Sequence, residues 1–348
     1  MRKQKTKIAV IIILVILIIG FFIPVPYYIS KPGGTEKLND LVTVSGKADH
    51  KKGSFSLVTV AMAKANPYTY LLAKMMPYYE LEKVDDVRYK NETDAEYNVR
   101  QLYMMNESKN NAIQAAYHAA KRPLQVNYQG IYVLSVRTNT PAAKKIKAGD
   151  LITAIDGKAF KSSEAFIKYV KAKKTGATVS LTYKRDRKAA KTVRIKLIAL
   201  DKKGTPGIGI TLVDDKTVKA SPKADIDSEK IGGPSAGLMF TLELYSRFSP
   251  NDLSKGKQIA GTGTIDPAGN VGRIGGIDQK IVAADKSGAS IFFAPDDKIT
   301  KAVLAVEPGA ISNYAEAKKT AKAIHSKMKI VPVKTFQDAL NYLTHNVK

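Results

Sequence analysis

One serine and one lysine in the C-terminal part of the chain have the surroundings that nucleophilic catalysis needs. Ser235 lies in the segment Gly-Gly-Pro-Ser-Ala-Gly at 232–237, directly before an apolar run that begins at Leu238. The pattern predicts a hydroxyl at a helix start, where the positive end of the helix dipole could stabilise an oxyanion. Gly233 and Pro234 form the approach to it, and the glycines would let a substrate come close. The same segment also fits a serine that merely caps a helix after a Gly-Pro turn.

Lys280 is the candidate base for this serine. In a helix its neighbours at positions 276, 277, 283 and 284 are Gly, Ile, Ala and Ala, so no local carboxylate pairs with it. An apolar setting disfavours the charged amine and lowers the lysine pKa. Action near neutral pH requires a drop of roughly 3 units from ~10.4, or about 4 kcal/mol against the charged form. A neutral Lys280 could then take the proton of Ser235.

A Ser-His-Asp triad is the alternative reading of the same serine. The segment at 233–237 fits Gly-x-Ser-x-Gly, and His325 and His345 follow it in the chain. That motif is expected directly after a buried strand. The preceding Asp-Ser-Glu-Lys at 227–230 is too polar for such a strand, so the sequence favours the lysine.

The residue composition excludes other kinds of catalytic chemistry. The 348 residues include no cysteine, which excludes thiol catalysis and cysteine-ligated metal centres. The four histidines show no metal-binding spacing, so neither a metal nor another cofactor is predicted. These histidines are His50, His118, His325 and His345.

An uncharged run of 23 residues, Ile8–Ser30, predicts a membrane anchor near the N-terminus. Four basic residues precede the run: Arg2, Lys3, Lys5 and Lys7. The positive-inside rule then places the N-terminus in the cytoplasm and the bulk of the chain outside. A cleaved signal peptide is the alternative, but no small-x-small cleavage site follows the run.

The chain is strongly basic, with 56 Lys and Arg against 31 Asp and Glu, a net charge of +25. Such a balance favours anionic partners in general. Because no aromatic RNA-binding signature or zinc-finger spacing accompanies it, nucleic acid is not an expected partner. A lysine-rich solvated surface, or a protein held against an anionic envelope, explains the charge.

The spacing of apolar residues predicts a mixed α+β and α/β multidomain chain. Residues 31–120 form a region of unknown role. Their pattern predicts strands at 41–44 and 55–62 and a helix at 95–120. Residues 121–200 predict a small β-rich unit with one helix around Phe166. After the turn-rich stretch at 201–207, helices and strands alternate to the end of the chain.

The β-rich unit resembles a bacterial PDZ domain, chiefly through Lys-Ala-Gly-Asp-Leu-Ile-Thr-Ala-Ile-Asp-Gly at 147–157. The resemblance implies capture of an extended peptide by addition to a sheet edge. It places four residues at the carboxylate-binding loop: Gly130, Ile131, Tyr132 and Val133. The groove would then lie between the strand after Gly130 and the Phe166 helix, unless the domain is a spacer with a blocked groove.

The C-terminal part closely resembles the proteolytic domain of Lon-type serine proteases (peptidase family S16). The resemblance depends on Gly-Pro-Ser-Ala-Gly at 233–237, Thr-Gly-Thr-Ile-Asp at 262–266 and Gly-Gly-Ile-x-x-Lys at 275–280. It implies that Ser235 is the nucleophile, Lys280 the general base and Thr262 a hydrogen-bond partner of the lysine. The chain departs from many members at Gly232, where those members have an acidic residue.

The order of the parts is similar to that of membrane-anchored PDZ–Lon proteases of Gram-positive bacteria, often called YlbL-like. The expected division is an anchor (1–30), the region of unknown role (31–120), a PDZ-like domain (121–200) and a protease domain (201–348). The segments at 65–70 and 77–80 also look like that family. Lon domains often form rings, so a homo-oligomer is an expectation of the resemblance.

No Gly-x4-Gly-Lys-Ser/Thr segment is present, so no ATPase motor is predicted. The expected function is therefore an ATP-independent, membrane-tethered serine endopeptidase on the extracytoplasmic face. Its substrates would be peptides and unfolded or flexible protein segments. The alternative is a PDZ-based peptide-binding scaffold with an inactive protease domain.

Overall fold

The computed structural model describes residues 2–47, 52–89, 91–186, 188–228 and 231–347. Side chains at positions 2–6, 8–10, 13 and 16 are not described, so the anchor prediction falls partly outside the described residues. His50 and positions 229–230 of the polar stretch before Ser235 also lie outside them.

The N-terminal third is a mixture of helices and strands. Its elements are α1 (Arg2–Phe22), β1 (Tyr27–Lys37), β2 (Val42–Val44), β3 (Ser54–Lys64), α2 (Pro67–Met75), β4 (Glu80–Lys83), α3 (Val84–Val87) and α4 (Asp94–Ala119). Pro24 and Pro26 follow the end of α1, because neither ring fits a helix interior. The uncharged run of 8–30 is therefore not one helix, and its last four residues begin strand β1. No helix in the described part of the chain is long and apolar enough to cross a membrane.

The middle of the chain forms a five-stranded antiparallel sheet with one helix. Its elements are β5 (Leu124–Val136), β6 (Leu151–Ile155), α5 (Ser163–Lys171), β7 (Thr178–Lys184), β8 (Lys191–Lys196), β9 (Ile198–Ala199), β10 (Pro206–Gly207), β11 (Ile210–Ala220) and β12 (Ala224–Ile226). The strand order is β11-β5-β6-β7-β8. Phe166 of α5 packs with Val133 and Leu181 in a core of its own. Strand β11 lies beyond residue 200 but pairs with β5 along its length.

The C-terminal part alternates helices and strands. Its elements are α6 (Gly237–Ser246), β13 (Gln258–Gly261), β14 (Thr264–Ile265), β15 (Val271–Gly272), α7 (Ile277–Lys286), β16 (Ile291–Pro295), α8 (Lys301–Val306), α9 (Asn313–Ala323), β17 (Lys329–Val333) and α10 (Phe336–Asn346). The predicted alternation is confirmed, and α6 begins two residues after Ser235, where the sequence predicted a helix start.

One six-stranded sheet joins the two ends of the chain, in the order β17-β16-β13-β3-β1-β4. Strands β17, β16, β13 and β3 are parallel, whereas β1 and β4 are antiparallel to their neighbours. Residues 31–120, to which the sequence assigned no role, thus supply strands of the sheet that carries β13.

Helices cover both faces of this sheet. Because side chains alternate along a strand, Ile259 and Phe293 face one core while Ala260 and Phe292 face the other. Helices α4, α6 and α10 pack on the first face, and α7 and α9 on the second. Helices α6 and α7 therefore approach the end of β13 from opposite sides.

Candidate active site

The segment before α6 presents Ser235 at the carboxyl end of β13. Gly233 has a φ of +84°, a conformation that glycine adopts without strain. The carbonyl oxygen of Ser235 accepts hydrogen bonds from the Gly263 N–H at 2.9 Å and from the Thr262 hydroxyl at 3.0 Å. These bonds fix the backbone of the serine against the residues that follow β13.

Helix α7 brings Lys280 to the same point. The lysine lies 45 residues after Ser235, and its Nζ donates to the Ser235 Oγ at 2.8 Å. The same Nζ donates to the Thr262 Oγ1 at 3.1 Å. The structure thus unites the three residues that the sequence selected as nucleophile, base and supporting hydroxyl.

The amine of Lys280 is removed from water. The residue is 3% exposed, and burial lowers its pKa from 10.5 to about 7. The cause is desolvation, which penalises the charged form. A buried lysine with this pKa is partly neutral at physiological pH, as a proton acceptor for a serine must be.

Ser235 does not act as a helix cap. The residue that precedes α6 is Ala236, and no side chain caps this helix. The serine hydroxyl instead faces Lys280, and the N-terminus of α6 follows it by two residues. The positive end of the helix therefore lies beside the Ser235 hydroxyl, a position that favours negative charge.

Helix α4 supports the serine segment from the N-terminal third of the chain. The carbonyl oxygen of Gln101 accepts from the Gly233 N–H at 3.1 Å, and the Ser108 hydroxyl donates to the Pro234 carbonyl at 3.0 Å. The Asn111 amide donates to the Ile265 carbonyl at 3.1 Å. Sequence reasoning missed these contacts. The polar residues Ser108 and Asn111 lie next to the apolar positions Met105 and Ala112 of the predicted helix. This pattern could have indicated that they face the core.

Gly232 packs closely against Gln101 of α4. A Cβ built there would lie 3.1 Å from the Cβ of Gln101. Any larger side chain would need α4 or the serine segment to shift. An acidic residue at this position therefore requires Gln101 or the serine segment to move by a few tenths of an ångström.

The histidine alternative finds no support among the described contacts. His345 hydrogen-bonds the Asn341 carbonyl one turn earlier in α10, and it lines a groove beside β17. Asp227 and Ser228 are not in a strand. Among the described residues, no cluster of His, Asp and Glu has a metal-binding arrangement.

The predicted peptide groove at Gly130–Val133 is not open at β5. These residues lie between β6 and β11, with Ile131 opposite both Ile152 and Asp214. Both edges of β5 are therefore paired, because the chain's own β11 occupies the edge that the sequence left free. The sequence missed this pairing because the expected division assigned residues 201–348, which include β11, to the protease domain.

Strand β11 is one of the two terminal strands of this sheet, and helix α4 covers its outer edge. The Tyr103 hydroxyl donates to the Asp214 carbonyl at 2.7 Å, and the Asn110 amide donates to the Lys216 carbonyl at 2.9 Å. The carboxylate of Asp214 on β11 accepts from the Ser163 N–H at the start of α5, at 2.6 Å. Strand β11 therefore packs directly against both β5 and α5 and occupies the groove in which the resemblance placed a bound peptide.

Two parts of the chain match known protein families. Residues 106–197 match the PDZ domain family. Residues 226–345 match the Lon protease (S16) C-terminal proteolytic domain. The chain therefore carries a PDZ domain followed by a Lon-type proteolytic domain.

Similar proteins include Lon proteases of two bacteria. One, from Aster yellows witches'-broom phytoplasma (strain AYWB), is 28% identical over 120 residues, which are 34% of this chain and 13% of the phytoplasma protein. The other, from Acinetobacter baumannii (strain AB307-0294), is 35% identical over 101 residues, 29% of this chain and 12% of that protein. The match thus spans about an eighth of the length of these relatives.

A solved structure matches the middle of the chain. It is the PDZ domain of the SdrC-like protein from Listeria monocytogenes, with 58% sequence identity. The match covers 26% of this chain and 93% of the Listeria domain, with a TM-score of 0.25.

Proposed function

We propose that this protein is a serine endopeptidase in which Ser235 and Lys280 form the catalytic dyad. The observation that carries the proposal is the 2.8 Å hydrogen bond between Nζ and Oγ. A buried amine with its pKa lowered to about 7 makes that bond productive, because neutral lysine can accept a proton.

In the first half of the reaction, the Ser235 Oγ attacks the scissile carbonyl carbon and Lys280 takes the hydroxyl proton. The tetrahedral intermediate then expels the leaving amine, to which Lys280 returns the proton, and an ester to Ser235 remains. In the second half, water attacks the ester and gives a proton to Lys280. Collapse releases the carboxylic acid product, and Lys280 restores the proton to the Ser235 Oγ.

The substrates we propose are peptides and unfolded or flexible protein segments, cleaved without ATP. The sequence lacks a phosphate-binding Gly-x4-Gly-Lys-Ser/Thr segment that could power unfolding. Capture of an extended segment at Gly130–Val133 would use main-chain hydrogen bonds, and it would require β11 to leave the edge of β5 that it occupies.

We also propose that the N-terminal apolar segment tethers the protein to the cell membrane, with the bulk of the chain outside. The support is the basic cluster before an uncharged run at 8–30, which favours a cytoplasmic N-terminus. Fractionation of cells into membrane and soluble parts tests this point separately from catalysis.

Hydrolysis of a fluorogenic peptide library by the Ser235→Ala variant tests the dyad. We expect turnover to disappear while the thermal unfolding transition stays in place. Ser290→Ala, which changes an exposed serine away from the site, should retain full turnover. Undiminished hydrolysis by Ser235→Ala would rule out the assigned nucleophile, and peptide binding without turnover by the wild type would favour the scaffold.

A further inference from the structure

Helix α2 leaves one apolar face uncovered beside the end of α1. It begins after Asn66, whose side chain caps it, and Ala73 packs inward with Ile29. Positions three, four, seven and eight after Tyr68 share the opposite face of the helix. They are Leu71, Leu72, Met75 and Met76. Leu71 is 60% exposed and Met75 is 82% exposed, whereas folded soluble surfaces seldom expose a contiguous patch of large apolar side chains.

This face continues the apolar surface of α1. The Tyr68 hydroxyl donates to the Leu17 carbonyl at 2.7 Å, and its ring lies 4.5 Å from the ring of Phe21. Gly20 permits the contact, because a Cβ at that position would lie 2.5 Å from the Tyr68 oxygen. The end of α1 is itself uncovered, with Phe22 81% exposed. The two helices therefore share one uncovered apolar surface.

Tyrosines and lysines border this surface. The amine of Lys74 lies 4.8 Å from the ring centre of Tyr70, and that of Lys31 lies 5.9 Å from the ring of Tyr79. Between positions 65 and 79, Lys74 is the one charged residue. Tyrosine at the headgroup level and lysine that extends its amine toward water are typical of a membrane interface.

We propose that the α2 face enters the headgroup region of a lipid bilayer beside α1 and holds the protease body against the membrane surface. The proposal rests on the membrane tether proposed above. A lipid surface fits better than a protein partner because the exposed face is continuous with the apolar surface of α1. Amphipathic helices of this kind sink about 5–10 Å into the boundary between headgroups and acyl chains.

The absence of tryptophan from the chain gives a clean test. The full-length protein carrying Met75→Trp is reconstituted into vesicles of equal parts phosphatidylcholine and phosphatidylglycerol, with or without brominated acyl chains. Leu71→Trp is a second probe of the same face. Ile18→Trp reports on α1. Ser290→Trp is the control, because Ser290 is exposed and lies beside Gln258 and Ser54, at the end of β3 opposite to the Lys64–Tyr28 pair next to α1.

We expect blue-shifted emission from the tryptophan at position 75 or 71, with roughly twofold lower intensity in brominated lipid. Emission from position 290 should stay unquenched. If the tryptophan at position 18 is quenched but those at positions 75 and 71 are not, the α2 proposal is wrong, whereas the proposed tether is supported. No quenching at any position would overturn the tether as well. A blue shift at 75 that depends on protein concentration and ignores bromine would replace the lipid with a second copy of the chain.

Discussion

Lys280 owes its chemistry to its surroundings rather than to a charged partner. Its two described hydrogen-bond partners are the hydroxyls of Ser235 and Thr262, neither of which carries a charge that would favour the ammonium form. Desolvation therefore determines the direction of the pKa change. The consequence is a base that becomes functional only as pH rises through its lowered pKa.

The pH dependence of hydrolysis should show this directly. Because the protonated amine cannot accept the Ser235 proton, kcat/KM should fall about tenfold per pH unit below about 7. Above that pH the rate should reach a plateau, until other groups titrate. Steady-state assays across the acid range measure this fall in kcat/KM. A rate that is level from acid to neutral pH would assign the base to another group, and Lys280→Arg should be inactive throughout.

Thr262 should act through the lysine and the serine backbone at once. Its hydroxyl accepts from Lys280 and donates to the Ser235 carbonyl. Thr262→Val keeps the shape and removes both bonds, so we expect kcat to fall about 10–100-fold, the range for losing one to three kcal/mol. Thr262→Ser, which keeps the hydroxyl, should retain most of the activity. Equal losses in the two variants would point to packing of the methyl group instead.

At the scale of elements, α4 contacts both functional parts of the chain. One side of it holds the serine segment through Gln101 and Ser108. Another side contacts β11, where the Asn110 amide donates to the Lys216 carbonyl at 2.9 Å. A helix to which the sequence assigns no role thus lies between the sheet of the PDZ domain and Ser235.

Ser108→Ala and Asn110→Ala form a matched pair, since each removes one side-chain bond from the same helix. The first releases the Pro234 carbonyl next to the nucleophile, so kcat should fall severalfold with little change in KM. The second releases a carbonyl on β11 and should leave kcat unchanged. Each should lower the free energy of unfolding by about 1 kcal/mol. Equal kcat values for the two variants would show that Ser108 is only structural.

Elements with local signals were predictable, and elements that depend on distant partners were not. Strand β13 and helix α7 have apolar patterns of the right length, and motifs selected Ser235, Thr262 and Lys280. Strand β1 was missed because Pro32-Gly33-Gly34 reads as a loop. Its pairing with β3 instead requires Gly33, where a Cβ would lie 2.5 Å from the Thr59 carbonyl oxygen.

At the scale of the whole molecule, the proteolytic part is not continuous in sequence. Strand β3 lies directly beside β13 and parallel to it. Its Phe55 and Leu57 share a core with Leu238 of α6, the helix that follows the nucleophile. The segment that matches the Lon proteolytic domain begins at residue 226 and contains none of these N-terminal strands.

A fragment of residues 205–348 should therefore fail to fold, although it contains the whole dyad. Without β3, strand β13 becomes an edge whose backbone groups lose their partners. The loss of Phe55 alone removes a large core side chain, a change that typically costs about 3–5 kcal/mol. Domains of this size are stable by only about 5–15 kcal/mol, so the loss of Phe55, Leu57 and the sheet pairing together exceeds the margin.

Circular dichroism during a urea titration measures cooperative unfolding, and a peptide-hydrolysis assay measures turnover. The fragment should show no cooperative transition and no turnover, whereas residues 24–348, which lack only α1 and its flanks, should show both. The two proteins share the proposed dyad, β13 and all later elements, and they differ by residues 24–204, which include β1, β3, β4 and α4. A cooperative and active fragment would mean that the C-terminal part completes its own core and that the N-terminal strands only extend the sheet.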